Sequence, residues 1–522
     1  MHHNDSINVT FEGAVAPKGG YMRRIIVMLL LGTLSLSCIG CSAGTSEAKQ
    51  EAEEQYLGES IDNHVVFPAS VEGFVGDTMP FYDDGTYNIF YLADQRKGKQ
   101  GYHPWAMMQT KDFVNYDDKG VVINYGETIK DQDIALGTGS VIKDKNGKYH
   151  AFYTGHNDAY EPKEAVMHAI SDDLENWEKV PEDTFYANEN YAKNDFRDPY
   201  VLYMENEDCY WMLVTTRSNN TGVIAKYTSK DLKTWKDDGV FFENDMDTDS
   251  NMECPTLLKY KNKWYLSFSD QWPNRIVHYR FTDDLKAGFK KPQRDFFDGN
   301  GFYAGRMETD GERLFIVGWN GTKVGHADDA EYDWGGNMVT HELIQAKDGS
   351  LSPVMVNEVE ASMTNSLAVA PEKMTESIKS DDNTLNFAGE EYEVAGFKKL
   401  LGSYIVSGKF KNFDENGMFG FAFNLDSENV GKLNIVFNAA NKRIEFYNTD
   451  NIMAEVPQSY VDYDFGKMDE LDVKMVIADG VVSMYVNNDI VFTERMYLSQ
   501  GMEWGIFSVK SKVSVEDLKV YK

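Results

Sequence analysis

An aromatic-rich strand hairpin recurs five times along this chain, at intervals of about 50 to 60 residues. The hairpins begin near Asp77, Thr138, Asp198, Glu253 and Phe302. Between them, a short phrase of Ser or Thr, any residue and Asp is repeated, at Thr110, Ser171, Ser229 and Thr282. A repeat of this length, with about four strands in each unit, is typical of a β-propeller, whose units are blades around a central funnel. The repeat therefore predicts an all-β, five-bladed β-propeller over residues 63–360.

The sequence changes character after residue 367, where the hairpin repeat stops. Apolar and polar residues alternate in runs such as Tyr404–Phe410, Phe419–Phe423 and Leu433–Phe437, and Asn, Asp and Gly separate the runs. Alternation of this kind predicts a C-terminal β-sandwich over residues 367–522. Three roles are open to such a module: it could bind sugar, pack against the propeller or mediate dimers.

The first 62 residues carry targeting signals and no strand pattern. Arg23 and Arg24 precede the apolar run Ile25 to Leu36, which is too short for a comfortable membrane span. Small residues then surround Cys41, as in a bacterial lipoprotein signal, so we predict a targeting segment over 1–41, lipidation at Cys41 and a polar tether over 42–62. An ordinary secretory peptide cut nearby is the alternative. Both place the protein outside the cytoplasm, in the cell envelope or secreted, with membrane attachment only through a lipid anchor.

Composition narrows the classes of partner. The chain has 522 residues, 42% of them hydrophobic and 13% aromatic, which excludes a disordered protein. Its formal net charge of −33 repels phosphate backbones, so nucleic acid is excluded as a partner and a neutral carbohydrate fits better. Beyond the targeting segment only Cys209 and Cys254 remain, which implies no disulfide framework. No histidine spacing suggests a metal site, and no cofactor is expected.

Three of the five hairpins open on a carboxylate: Asp77, Asp198 and Glu253. The innermost strand of each propeller blade lines the funnel, so side chains near its start point into a common pocket. Cleavage of a glycosidic bond uses one protonated acid to assist the leaving oxygen and one ionised carboxylate to attack or to activate water. Mutual repulsion and burial separate the pKa values of such groups.

The residues around these carboxylates resemble known motifs. Phe196–Pro199 (F-R-D-P) and Met252–Pro255 (M-E-C-P) are similar to the Arg-Asp-Pro and Glu-Cys motifs of glycoside hydrolase family 32, which includes invertases, levanases and inulinases. Shorter resemblances to that family's other motifs occur in the same order, at Trp105–Phe113, Gly137–Ser140, Phe302–Ala304 and Gly318–Trp319.

The resemblance implies an enzyme with a five-bladed propeller followed by a sandwich. By position, Asp77 would be the nucleophile of a retaining mechanism, Glu253 the general acid and Asp198 the stabiliser of the transition state. The residues implied to bind substrate are Arg197, Trp105, Thr138, Gly137 and Trp319. The substrates implied are β-fructosides, namely fructans, fructo-oligosaccharides or sucrose-like sugars, with no cofactor.

This chain also departs from the family pattern around the first blade. The family's N-D-P-N-G stretch is Gly76-Asp77-Thr78-Met79-Pro80 here, Leu92 and Gln100 replace an expected Gln and Trp, and His341-Glu342 replaces an Arg-Glu pair. Two alternatives therefore stay open. One is an inverting five-bladed glycosidase of the arabinan or xylan type, and the other is a surface glycan-binding lipoprotein without catalysis.

Overall fold

The computed structural model describes residues 66–71, 73–95, 102–381 and 384–522. The predicted targeting segment and tether lie outside these ranges and stay predictions. Lipidation can be tested with a Cys41→Ser variant, which should move from the detergent phase to the aqueous phase when the two are partitioned. Within the ranges nearly all regular structure is β, and the only α-helix is α1 (Asn357–Ser362). None of the helices described is both long and apolar enough to cross a bilayer. Four short 3-10 helices lie at Pro181–Asp183, Leu285–Ala287, Val324–His326 and Tyr497–Ser499.

The strands of residues 74–354 form five antiparallel blades, numbered in chain order. Blade 1 contains β1 (Phe74–Asp83), β2 (Thr86–Asp94), β3 (Trp105–Thr110) and β4 (Tyr116–Ile123), and blade 2 contains β5 (Ala135–Lys143), β6 (Tyr149–His156), β7 (Glu164–Ser171) and β8 (Trp177–Lys179). Blade 3 contains β9 (Phe196–Met204), β10 (Cys209–Ser218), β11 (Thr221–Ser229) and β12 (Lys236–Glu243), and blade 4 contains β13 (Met252–Tyr260), β14 (Lys263–Asp270) and β15 (Val277–Thr282). Blade 5 contains β16 (Tyr303–Thr309), β17 (Leu314–Lys323), β18 (Tyr332–Gln345) and β19 (Leu351–Val354).

The innermost strands β1, β5, β9, β13 and β16 close into a ring around the funnel. Side-chain hydrogen bonds join successive blades: the Val201 amide donates to Ser140 Oγ at 2.9 Å, and Arg306 donates to the Pro255 carbonyl at 2.9 Å. The ring closes where the Tyr82 amide donates to the Glu308 carboxylate at 3.3 Å. The predicted five-bladed propeller is therefore confirmed.

Each innermost strand contains a β-bulge at the same height in the funnel, which we call the funnel bulge. In every blade, two consecutive residues lie between rungs of the ladder, where the partner strand has one. These residues are Gly76 and Asp77, Gly137 and Thr138, Asp198 and Pro199, Cys254 and Pro255, and Ala304 and Gly305. A bulge of this kind bends the strand and re-aims its side chains.

The backbone at the first residue of the funnel bulge is unusual in three blades. Asp198, Cys254 and Ala304 have φ angles of 57°, 54° and 51°, in the left-handed region that L residues seldom adopt. Such strained positions persist where surrounding structure fixes them, and they cluster at functional sites. The repeat of the strain in blades 3, 4 and 5 marks the top of the funnel as a built site.

The repeated Ser/Thr-x-Asp phrase forms turns within the blades. Thr110 Oγ1 accepts the Phe113 amide at 2.9 Å, and Asp112 Oδ1 accepts the Asn115 amide at 2.7 Å. Ser171 with Asp173 and Ser229 with Asp231 repeat both contacts. These aspartates therefore act as turn formers, with their carboxylates bound to backbone amides.

The remaining strands form two facing sheets, so the predicted C-terminal sandwich is confirmed. One sheet has the order β22 (Lys379–Asp381), β23 (Thr384–Ala388), β34 (Lys512–Tyr521), β25 (Tyr404–Lys411), β30 (Glu470–Ala478), β31 (Val481–Val486) and β32 (Ile490–Arg495), with β20 (Ser366–Leu367) beside β34. The other has the order β21 (Lys373–Met374), β24 (Glu393–Phe397), β33 (Trp504–Val509), β26 (Met418–Leu425), β27 (Gly431–Asn438), β28 (Arg443–Tyr447) and β29 (Ser459–Asp462).

The sandwich packs against the propeller, which is one of the three roles that the sequence left open. Ile405, Val481 and Val491 from the sandwich belong to the same buried apolar cluster as blades 1, 4 and 5. Arg495 is fully buried and donates to the propeller carbonyls of Gly321 at 3.0 Å and Asn320 at 2.9 Å. The contact therefore combines a shared apolar core with a buried cation that satisfies carbonyl groups.

Candidate active site

Asp77 lies in the funnel bulge of blade 1, with both carboxylate oxygens held. Thr138, from the matching bulge of blade 2, donates its hydroxyl to Asp77 Oδ2 at 2.6 Å. The indole N–H of Trp319, from blade 5, donates to Asp77 Oδ1 at 3.0 Å. The carboxylate is thus fixed by two donors from neighbouring blades while it remains partly exposed to the funnel. This arrangement suits a group that must be oriented and still reach a ligand.

Glu253 immediately precedes the funnel bulge of blade 4 and is held from both sides. Arg197 donates to Glu253 Oε1 through Nη2 at 3.0 Å, and the Tyr303 hydroxyl donates to Glu253 Oε2 at 2.6 Å. Arg197 also donates to Asp195 at 3.0 Å, which limits its movement. Burial, followed by the charge of Glu253, raises the pKa of Tyr303, so its hydroxyl stays a donor at neutral pH.

Asp198 is the most buried of the three acids, with 4% of its surface exposed. The Cys254 amide donates to Asp198 Oδ2 at 2.9 Å, and the Asp198 amide donates to Thr154 Oγ1 at 2.9 Å. Burial, and then the charge of Glu253, raises the pKa of Asp198 to about 7. Arg197 and Arg306 act in the opposite direction, while Asp77 raises the pKa further.

The three predicted acids lie at or beside the funnel bulges of three blades, near enough for the charges of Glu253 and Asp77 both to raise the pKa of Asp198. Glu253 precedes the bulge, Asp198 is its first residue and Asp77 is its second. The rings of Tyr303 and Trp319 lie 6.2 Å apart, edge to face, and so link the partners of Glu253 and Asp77. A regular strand would send successive side chains to opposite faces. The bulge is what allows all three to converge.

The raised pKa of Asp198 predicts a pH-dependent cost to stability. Its pKa is about 7 in the folded protein and about 3.9 in an unfolded chain, so the folded protein favours the protonated form. The contribution of Asp198 to the free energy of unfolding is therefore complete below about pH 4 and is lost as the pH rises to about 7. Asp198→Asn should therefore increase the free energy of unfolding at pH 8, by up to about 4 kcal/mol, and change it little at pH 4. Denaturant unfolding at both pH values measures this.

The matched control is Asp464→Asn, which removes a carboxylate from an exposed pair with Lys442. It should alter the free energy of unfolding by less than about 1 kcal/mol at either pH. A variant of Asp198 that is equally destabilised at pH 4 and pH 8 would contradict the assigned direction of the shift.

The residues implied to bind substrate fall into two groups. Arg197, Thr138 and Trp319 contact the acids directly, as described above. Trp105 has no exposed surface, and its indole N–H donates to the Gly137 carbonyl at 2.9 Å. Trp105 is therefore a core residue that supports Gly137 in the bulge of blade 2, and the expectation that it binds substrate is wrong because no face of its ring is accessible.

The departures in blades 1 and 5 have clear structural consequences. Leu92 is buried in an apolar cluster, and His341 is buried with Nδ1 2.8 Å from the Tyr485 hydroxyl of the sandwich. Gly76 leaves space beside Asp77 that the indole of Trp334 occupies: a Cβ atom added at Gly76 would lie 2.1 Å from Trp334 Cη2. His103 stacks on Trp334 with ring centroids 4.1 Å apart. The aromatic pair thus fills the place of a side chain at position 76.

Gly76→Ala should consequently impair the site, because the new methyl group and the indole cannot occupy the same space. We expect kcat/KM to fall by about 10-fold or more, in line with the usual cost of overpacking. Adding Trp334→Ala should restore part of that loss, since it removes the colliding ring. Initial-rate measurements on the two single variants and the double variant test this coupling. Equal activity of the Gly76→Ala variant and the wild type would contradict it.

Several contributors to the site were not identified from the sequence. Tyr303 could have been found, because the Phe302–Ala304 motif contains it. The Cys254 amide and the Thr154 hydroxyl, which contact Asp198, belong to no motif that assigns them to the site. Trp334 comes from a distant strand and has no local signature. Across residues 66–522, apart from 72, 96–101 and 382–383, no cluster of three or more His, Cys, Asp or Glu could hold a metal ion.

Comparison with known proteins identifies the family. The model of the glycosyl hydrolases family 32 N-terminal domain matches residues 73–353. A sucrose-6-phosphate hydrolase of Vibrio alginolyticus is 24% identical over 358 residues, which cover 62% of this chain and 69% of that protein. A levanbiose-producing levanase of Bacillus subtilis (strain 168) is 25% identical over 353 residues, which cover 60% of this chain and 64% of that protein.

Solved structures share the same fold. A sucrose-6-phosphate hydrolase from Lactobacillus gasseri superposes with a TM-score of 0.67 at 18% identity, covering 91% of this chain and 96% of that one. An exo-inulinase from Aspergillus awamori gives a TM-score of 0.67 at 15% identity, covering 88% and 97%. The family match spans more than half of the sequence and includes all three acids. This chain therefore belongs to glycosyl hydrolase family 32, a family of enzymes that hydrolyse glycosidic bonds.

Proposed function

We propose that the protein cleaves β-fructosidic bonds by a retaining mechanism, with a fructan, a fructo-oligosaccharide or a sucrose-like sugar as substrate. The observation that carries this proposal is the proximity of the three acids: the charges of Glu253 and Asp77 both act on Asp198, and Asp77 and Glu253 are each held by two donors. The names of the relatives, which include levanase and raffinose invertase, support a fructoside as the substrate.

In the first step, an Asp77 oxygen attacks the anomeric carbon of the fructosyl unit while the bond to the leaving oxygen breaks. Glu253 transfers its proton to that oxygen, so the departing group leaves as an alcohol. Both Arg197 and Tyr303 donate to Glu253, and these hydrogen bonds strengthen as the carboxylate becomes negative. In this mechanism Asp198 binds sugar hydroxyls and stabilises the positive charge that develops on the ring.

In the second step, water replaces the leaving group. Glu253, now ionised, removes a proton from the water as it attacks the anomeric carbon, and the bond to Asp77 breaks. Two inversions at the same carbon return the starting configuration. Thr138 and Trp319 each donate to one Asp77 oxygen, so they orient the carboxylate for attack in the first step and stabilise it when it is released in the second.

The configuration of the first product distinguishes this mechanism from the inverting alternative. NMR spectra recorded immediately after mixing the enzyme with a β-fructoside should show β-fructofuranose first. Initial release of the α anomer would support the inverting mechanism. Undiminished binding of levan, inulin and sucrose without any release of fructose would instead support the non-catalytic alternative, which the altered first blade motivates.

A further inference from the structure

The loop between β14 and β15 holds an arginine in a fixed position beside the candidate acid. Asp270 ends β14 and pairs with Met252, next to Glu253, so the loop starts at the top of the funnel. The buried Asp270 carboxylate accepts the backbone amides of Asn274 and Ile276, one on each side of Arg275. These two contacts fix Arg275 in the left-handed region at φ 57°. The loop backbone therefore sets the direction in which the Arg275 side chain leaves the loop.

The guanidinium of Arg275 lies over the ring of Tyr303. Its Cζ atom is 4.0 Å from the ring centroid, a distance typical of a cation–π contact. The Tyr303 hydroxyl donates to Glu253 Oε2 at 2.6 Å, so Arg275, Tyr303 and Glu253 form a continuous set along one wall of the cavity. The side chain of Arg275 is exposed.

Arg275 differs from the other described arginines in its lack of a polar partner. It forms no hydrogen bond or ion pair with any residue that the structure describes, although the chain contains 84 acidic and 51 basic residues. All other arginines in that part of the chain donate to a carboxylate or a carbonyl oxygen: Arg197, Arg217, Arg280, Arg294, Arg306, Arg313, Arg443 and Arg495. Its donors are therefore available to a ligand.

The position of Arg275 indicates which part of a substrate it would meet. In the proposed function, Glu253 protonates the leaving oxygen, so the leaving group lies on the side of the cavity that Glu253, Tyr303 and Arg275 share. We propose that Arg275 is a specificity-determining residue that binds an oxyanion, such as a carboxylate or a phosphate, on the leaving group. A guanidinium offers two parallel donors that match the geometry of such a group.

The test compares three substrates that differ only at C6 of the leaving glucose: sucrose, sucrose 6-phosphate and sucrose oxidised to the C6 carboxylate. We expect the wild-type enzyme to prefer at least one anionic substrate in kcat/KM, and the preference to weaken as salt is raised. Arg275→Gln should lower kcat/KM for that substrate by about 10- to 100-fold, mainly through KM, and leave sucrose within about threefold. The anionic substrate whose kcat/KM falls in the Arg275→Gln variant identifies the oxyanion.

Two controls make the result specific. Arg217→Gln removes the same charge from a guanidinium that packs on Trp272 of the same loop but already donates to the Asp249 carbonyl, so it should leave the discrimination unchanged. Arg275→Lys keeps the charge without the paired donors, and it should retain only part of the preference. Equal losses on all three substrates, or no anionic preference in the wild type, would overturn the proposal.

A direct binding measurement separates this inference from the proposed function on which it rests. Calorimetric titration with glucose 6-phosphate, glucuronate and glucose reports the leaving-group side without any turnover. Tighter binding of an anionic sugar to the wild type than to the Arg275→Gln variant supports the role of Arg275 even if no fructoside is cleaved. Equal binding of all three sugars to both proteins overturns it, whatever the activity.

Discussion

Asp77→Asn is expected to lower kcat on a fructoside by about 10⁴-fold or more, because a neutral amide cannot form the covalent bond that the proposed mechanism requires. Asparagine has the same shape, and Trp319 can still donate to its Oδ1, so the side chain should remain in place. The loss would then report the chemical step. Initial rates of fructose release measure it, and intact-mass spectra of acid-quenched wild-type enzyme should show one added fructosyl unit.

Asp83→Asn provides the control on the same strand. Asp83 is at the far end of β1, where it pairs with Lys143 at 2.8 Å. Removing its charge should leave kcat within about twofold, since surface ion pairs contribute little. An Asp77→Asn variant that keeps a tenth of the wild-type activity would sink the assignment of Asp77 as the nucleophile.

Glu253→Gln should produce a loss that depends on the leaving group. A glutamine cannot protonate the departing oxygen, so kcat/KM on sucrose or a fructan should fall by about 10²- to 10⁴-fold. An aryl fructoside with an acidic phenol needs little protonation and should lose less than about 10-fold. Parallel assays on both substrates measure the difference.

The control for Glu253 is Glu312→Gln, which changes an exposed carboxylate in the turn between β16 and β17. This variant should treat both substrates as the wild type does. Equal losses of the Glu253→Gln variant on the natural and the activated substrate would mean that Glu253 orients other groups and does not act as the acid.

The propeller could be predicted from the sequence because its repeat is local and regular. Hairpin positions, the turn-forming aspartates and the carboxylate near the start of three inner strands all follow from short sequence patterns. The sandwich strands also follow from alternation: β25 covers Tyr404–Lys411, beside the predicted Tyr404–Phe410. These features depend on neighbouring residues, and sequence analysis captures such relationships well.

The geometry of the site could not be derived in the same way. Alternation alone would place Arg197 and Asp198 on opposite faces, but the funnel bulge begins at Asp198 and re-aims its side chain. Trp105 belongs to a motif that suggests sugar binding, but its side chain is completely buried in the core of the blades. An arginine at the end of a strand is usually exposed to solvent, but Arg495 is fully buried against the propeller. In each case a partner remote in sequence decides the outcome.

The funnel bulge also bears on how an enzyme of this kind can acquire new substrates. Its two residues in each blade stand between rungs of the ladder, so their side chains can be exchanged without breaking the pairing below. Asp77, Thr138 and Asp198 place polar groups at these positions, whereas an added Cβ atom at Gly76, Gly137 or Gly305 would collide with a neighbouring side chain. We therefore expect new chemistry to arise by exchange of the polar bulge residues, with the ladder pairing of each blade retained.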